Sequence, residues 1–119
     1  MEVKDINKDI IRIFDAFPLR DDNVKYPERE LWISTFEVDK VAFGVENDLD
    51  QNVSVQPIGK VGGAQGNLGS ATTVSAHSSG VVTLDINTYW CAYISVSIEA
   101  AGAPAAGTIT VYALARKRK

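Results

Sequence analysis

Apolar and polar positions alternate with a period of two along most of the chain beyond residue 30. The clearest run covers residues 90–99. Trp90, Ala92, Ile94, Val96 and Ile98 share one parity, and Cys91, Tyr93, Ser95, Ser97 and Glu99 share the other. Successive side chains of a strand point to opposite faces, so the run predicts a strand that buries Trp90 with the core set and turns Tyr93 outward. Val82, Leu84 and Ile86 alternate in the same way with Val81, Thr83 and Asp85. Ile109, Val111, Ala113 and Ala115 alternate with Thr108, Thr110, Tyr112 and Leu114. Asn87-Thr88 breaks the first pair of runs, and residues 100–107, with two glycines and Pro104, break the second. Such residues supply turn geometry and stop pairing, so residues 80–116 read as three consecutive antiparallel strands in a meander or Greek-key piece.

Upstream the runs are shorter and less regular. Residues 31–38 read as a strand with Trp32, Ser34, Phe36 and Val38 on one side, followed by a turn at Asp39-Lys40. Val41, Phe43 and Val45 alternate with Ala42, Gly44 and Glu46, a polar loop spans 47–51, and residues 53–56 return. This predicts a β-hairpin, with Pro57 ending the return strand or marking a sheet edge. Residues 59–70, GKVGGAQGNLGS, hold five glycines and read as a flexible rim loop, or one that orders against a partner. Residues 71–76 are a Ser/Thr-rich strand, with His77 in the turn behind it.

Residues 1–19 allow two readings. Ile6, Ile10, Ile13, Phe14 and Phe17 fall at helical spacing behind Asp5 as an N-cap, and Pro18 would close the helix. The alternative is an extended arm through residues 10–14 that docks on a neighbouring subunit. The short amphipathic helix is the favoured reading. Residues 20–30 are a polar loop. The fold class is therefore all-β: a single antiparallel β-sandwich or jelly-roll-like domain over residues 1–119. In this division residues 1–30 are the N-terminal helix or arm and loop, 31–115 the β core, and 116–119 a basic tail.

Composition changes this picture in one respect. A chain of 119 residues suits one domain and buries roughly two-thirds of its unfolded surface. Its charge, however, is unevenly spread. Residues 1–40 hold seven Lys/Arg and ten Asp/Glu, whereas residues 41–115 hold only Lys60 and five acids. The last four residues are Arg-Lys-Arg-Lys, and the net charge is −3. Soluble sheets guard their edges with charges and prolines, so a β region this bland points to surface covered by another copy or another protein. The acidic balance and the lack of a basic stripe make nucleic acid an unexpected partner. No secretory signal opens the chain, and no apolar run is long enough to span a bilayer as a helix.

Candidate chemistry is sparse. Asp48, Asp50 and Asn52 match the first three ligand positions of a calcium loop, but the sixth is Val53 rather than Gly and the twelfth Gly59 rather than Glu. The Gly-rich stretch lacks both GxxxxGK[ST] and GxGxxG, so it is no phosphate cradle. Asp21, Asp22, Glu28 and Glu30 read as solvated loop charges. His77 is the one histidine and Cys91 the one cysteine, too few for a zinc site, and Cys91 reads as a small packing residue. Asn52-Val53-Ser54 is a glycosylation triplet that matters only in a secretory pathway. No enzyme activity, cofactor or metal is expected.

The segments SGVVTLDI, WCAYISVSIEA, GTITVYALAR and FGVENDLDQNVSVQPIG resemble those of small β-sandwich proteins of tailed-phage and related virus particles. The same style occurs in carbohydrate-binding and cell-surface sandwiches. The resemblance implies a non-enzymatic structural protein: a homo-oligomer, a trimer or another symmetric assembly, that coats or decorates a larger particle such as a virion. Its place is then the virion, or otherwise the cytoplasm. The alternative is a carbohydrate- or other ligand-binding module. Tyr93 and Tyr112, on the outward parity, are the candidate ligand or interface contacts, because an aromatic body with a polar tip suits such surfaces.

Overall fold

The computed structural model describes residues 10–117. The elements run β1 (Ile10–Phe17), a 3-10 turn (Arg29–Leu31), β2 (Ile33–Ser34), β3 (Val38–Asn47), β4 (Val53–Val61), β5 (Ala64–Asn67), β6 (Thr72–Val74), β7 (Ser78–Asp85), β8 (Tyr93–Ala100) and β9 (Ile109–Lys117). One sheet has the order β1-β9-β3-β7 and the other β2-β8-β4-β5, with β6 also paired to β4. Every pairing is antiparallel. The chain changes sheet at nearly every connection, which is the double Greek-key order of a jelly roll. The all-β sandwich expected from the alternation is the fold observed.

The inward parities meet between the sheets. Val41, Phe43, Val45, Leu84, Val111 and Ala113 from the first sheet join Val53, Val55, Ile94, Val96 and Ile98 from the second in one buried cluster. β7, β8 and β9 turn inward the parity that their alternation assigned, although β8 starts only at Tyr93.

Several expectations are corrected. Residues 10–17 are a strand rather than a helix; Asp5 and Ile6 lie outside the described residues. Register shifts between Arg12 and Phe14, and between Phe14 and Phe17, bulge β1 against β9. The bulge turns the adjacent Ile13 and Phe14 both into the core, and this imitates helical spacing. Residues 31–38 are not one strand either. Only Ile33 and Ser34 pair with β8, Phe36-Glu37 is a turn, and Asp39-Lys40, expected as the turn, belongs to β3.

The hairpin expected between residues 41–45 and 53–56 does not form, because β3 and β4 lie in opposite sheets. Their apolar sets face each other across the core, and alternation reads the same for a sheet neighbour and for a facing strand. The crossing is held by Asn47. Its Nδ2 donates to the carbonyls of Gln51, Val74 and Ser75 at 3.0–3.1 Å, and its Oδ1 accepts from Leu49 N, with Leu49 fully buried. Gly107 packs so tightly here that a Cβ would sit 1.9 Å from the Asp48 carbonyl oxygen.

The Gly-rich stretch is a hairpin, not a loop. Val61 pairs with Ala64 across Gly62-Gly63, and Gly62 adopts the positive φ that a two-residue turn needs. Pro57 is interior to β4 instead of ending it. It falls between the reach of β6, which pairs to Val55, and that of β5, which starts at Ile58, so its missing N–H costs no ladder bond.

Candidate functional site

Two exposed apolar surfaces stand out, and each is built by identifiable local structure. The first is the outer face of the β1-β9-β3-β7 sheet. Outward positions form one row through Ile10, Leu114, Ala42 and Thr83, and a second through Arg12, Tyr112, Gly44 and Val81. Apart from Thr83 they line a shallow basin of about 660 Å³. Val81 is 71% exposed. Charges stand at the borders and are largely matched. Tyr112 Oη donates to Glu46 Oε1 at 2.7 Å, and the Arg12 guanidinium lies 5.7 Å from the Tyr112 ring. The Glu46 carboxylate, by accepting that hydrogen bond, favours the protonated phenol and holds Tyr112 above the ordinary phenol range. Arg116 forks onto Asp39 through Nε and Nη2 at 2.9 and 3.2 Å, which lowers the Asp39 pKa.

The second surface lies at the end of the sandwich where the β2–β3, β4–β5 and β7–β8 connections meet. It is a cleft of about 770 Å³ with Phe36, Glu37, Val61, Trp90 and Tyr93 on its walls. Ser34, Tyr93 and Lys60 form a row across three strands beside it. Phe36 is 79% exposed and Trp90 76%. The burial expected for Trp90 is therefore corrected: β8 starts at Tyr93, and Trp90 belongs to the preceding connection.

The residue beside each of these two rings is buried and tied down. Next to Phe36, Thr35 N donates to the Ala92 carbonyl at 3.1 Å, and Thr35 Oγ1 donates to the carbonyls of Cys91 and Ala92. Next to Trp90, Cys91 is buried against Gly59, where a Cβ would come within 2.7 Å of the Cys91 Sγ. Thr35 thus joins the two connections that carry the rings. Glu37 completes the turn at φ 60°, a left-handed conformation uncommon for a residue other than Gly, Asn or Asp.

The two tyrosines singled out from the sequence are not brought together. Tyr93 lies on the cleft, whereas Tyr112 lies on the outer face of the opposite sheet. Trp32 is half-buried beneath the Lys60 ammonium, 4.4 Å from the ring centre. Phe36 and Glu37 escaped the sequence reading because the alternation of residues 31–38 hid the turn. His77 sits in its expected turn and meets only Asp48, at 3.0 Å, with both side chains exposed. Among the described residues no three His, Cys, Asp or Glu side chains cluster to hold a metal ion.

Architecture and surfaces together define a two-sheet antiparallel β-sandwich of jelly-roll order with an open sheet face and an aromatic loop end. No family model matches the sequence, and no curated protein matches it significantly. Solved structures do share the fold. One is PBSX exported protein XepA, with a TM-score of 0.73 and 10% identity over 92% of this chain; the chain spans 37% of XepA's length. Another is SPBc2 prophage-derived protein YomS, with a TM-score of 0.56 and 9% identity over 89% of each chain. At such identity the likeness establishes the fold.

Proposed function

We propose that the chain is a structural protein, a homo-oligomeric β-sandwich that coats or decorates a larger particle such as a virion, and that its copies meet through the outer face of the β1-β9-β3-β7 sheet. The observation that carries this reading is the makeup of that face. Ala42, Gly44, Val81 and Leu114 leave its centre small, apolar and uncharged, and nothing among the described residues lies over it. A monomer's sheet face is ordinarily studded with charges. The prophage origin of YomS agrees with a phage setting.

The driving force would be burial, at roughly 25 cal/mol per Å² of apolar surface, opposed by the cost of association. Four strands about 4.8 Å apart and about 33 Å long present about 600 Å². A standard interface takes about 800 Å² from each partner, so the rim of the face must contribute as well. Face against face about a twofold gives a dimer, and a ring of three needs this face to meet a different surface of the next copy.

The test is solution mass by light scattering, with Val81→Asp beside the native chain. Val81 is exposed, so the variant should fold, and its charge falls on the β7 side of the apolar basin. The expected result is a stable oligomer at about 10 μM for the native chain and a monomer for Val81→Asp. A native chain that stays monomeric to about 500 μM refutes the reading.

A further inference from the structure

We propose that the loop-end cleft is a saccharide-binding site, with Trp90, Phe36 and Tyr93 as stacking platforms and the Glu37 carboxylate as acceptor for sugar hydroxyls. The inference is independent of the oligomer reading, since the cleft and the open sheet face share no residue.

Three observations carry it. The first is display. Phe36 and Trp90 are the two most exposed large apolar side chains among the described residues, and both open onto one cleft. Exposed rings on frayed loops would mean little. These stand next to buried, hydrogen-bonded residues, Thr35 and Cys91, whose bonds fix one connection to the other. The rings are therefore held outward before any ligand arrives, and preorganisation lowers the cost of binding.

The second is strain. Glu37 holds a left-handed backbone that glycine would adopt freely. Unfavourable backbone conformations at ordinary residues gather at ligand sites, where the side chain has a use that outweighs the strain.

The third is the match of chemistry. A cleft of about 770 Å³ lies within the usual range for small-ligand sites, which are mostly apolar with a few polar groups that orient the ligand. An apolar partner seated here would strip water from the Glu37 carboxylate and offer it no donor, which is costly. An anionic ligand finds Glu37 on the wall, while the nearby Lys60 ammonium is already set over Trp32. A pyranose satisfies both demands: its C–H faces lie on aromatic rings, and its hydroxyls donate to the carboxylate and to Ser34 Oγ. Several copies of such a cleft on one oligomer would add avidity to a weak single site.

The test uses the intact chain and defined probes: cellohexaose, maltohexaose, xylohexaose, mannohexaose, laminarihexaose and chitohexaose, followed by tryptophan fluorescence and titration calorimetry. At least one should bind with a dissociation constant below about 1 mM and shift the emission to shorter wavelength. Trp90→Ala should weaken that probe about tenfold or more, Phe36→Ala and Tyr93→Ala each about threefold to tenfold, and Glu37→Gln about threefold or more. Tyr26→Ala, exposed and on neither the cleft nor the open sheet face, should leave binding unchanged. The variants replace exposed side chains, so unchanged circular dichroism is expected. No heat or shift with any of the six at about 10 mM overturns the proposal. So does saccharide binding that survives Trp90→Ala, and so does a Trp90→Ala chain that loses its native oligomeric mass, which would make the cleft a protein contact.

Discussion

Ile58 and Val81 both point away from the core, one from each sheet. Ile58 pairs with Ser95 on the outward row of β4 and β8, and Val81 with Gly44 on the outward row of β7 and β3. Ile58 is 1% exposed and Val81 71%. The difference lies in what the chain does beside each sheet. Residues 25–34 run along β8, with Lys25 bridging to Ile98 at one end and Ile33 pairing with Ile94 at the other. Between them the Leu31 carbonyl accepts from Ser95 Oγ, and Trp32 lies under Lys60, two residues along the same face from Ile58. Residues 25–34 thus close that sheet's edge, and Trp32 with the Lys60 side chain covers part of its outer face. The other sheet has no such cover among the described residues. An apolar outward residue is at home under cover, and in the open it marks a surface that awaits one.

The largest effect expected from this comparison comes from truncating the two residues in parallel. Ile58→Ala should lose about 2–4 kcal/mol by urea unfolding, because a fully packed isoleucine leaves a cavity. Val81→Ala should stay within about 0.5 kcal/mol in the monomer, as exposed positions do. Equal losses at the two sites would mean that the two outer faces are energetically alike, and the contrast would have to be abandoned.

Much of this molecule was legible in its alternation, and the gaps have physical causes. The parities of β7, β8 and β9 can be read directly because each turns an apolar set toward the core. What parity cannot say is which strand lies beside which, so β3 and β4 were joined as a hairpin when they in fact face each other across the core. A period of two also breaks at a bulge, and Ile13 with Phe14 then looks helical. The open sheet face was half visible: Ala42, Gly44, Thr83 and Leu114 are the small or apolar outward residues of a charge-poor region, but only the fold sets them side by side. The cleft was nearly invisible. Of its aromatic walls only Tyr93 has an outward parity; the alternation places Trp90 with the core and Phe36 within a strand, because loops bring these residues together and loops carry no period.

The closed edge can be probed more gently through Ser95. Its hydroxyl is buried and donates to the Leu31 carbonyl at 3.2 Å. Ser95→Ala should lower stability by about 1 kcal/mol, the net worth of one such bond, read from the urea midpoint. Ser79→Ala, at an exposed outward position on β7, should cost almost nothing. If Ser95→Ala were as silent as Ser79→Ala, the 25–34 segment would be lying along its sheet without gripping it.

The smallest effect concerns the border of the open face, where charges are paired instead of covered. Arg116 at the end of β9 forks onto Asp39 at the start of β3 and holds the Asp39 carboxyl below its ordinary value of 3.8. A lowered folded-state pKa means that the ionised carboxylate favours the folded chain. The contribution is therefore present above the ordinary value and is lost as pH falls through the folded value. Tyr112 behaves with the opposite sign: raised by Glu46, it favours the folded chain until pH climbs past the ordinary phenol range. Both pairs are exposed, so both effects are modest and fade with salt. The Asp39 pair can be isolated by comparing the native chain with Asp39→Asn in low salt. The native chain should have the higher urea midpoint at about pH 7, and the gap should narrow as pH falls below the ordinary value of 3.8 and through the lowered folded one. A gap that persists unchanged in acid would show that Asp39 acts through its shape rather than its charge. The open face would then be bordered by packing and not by ion pairs.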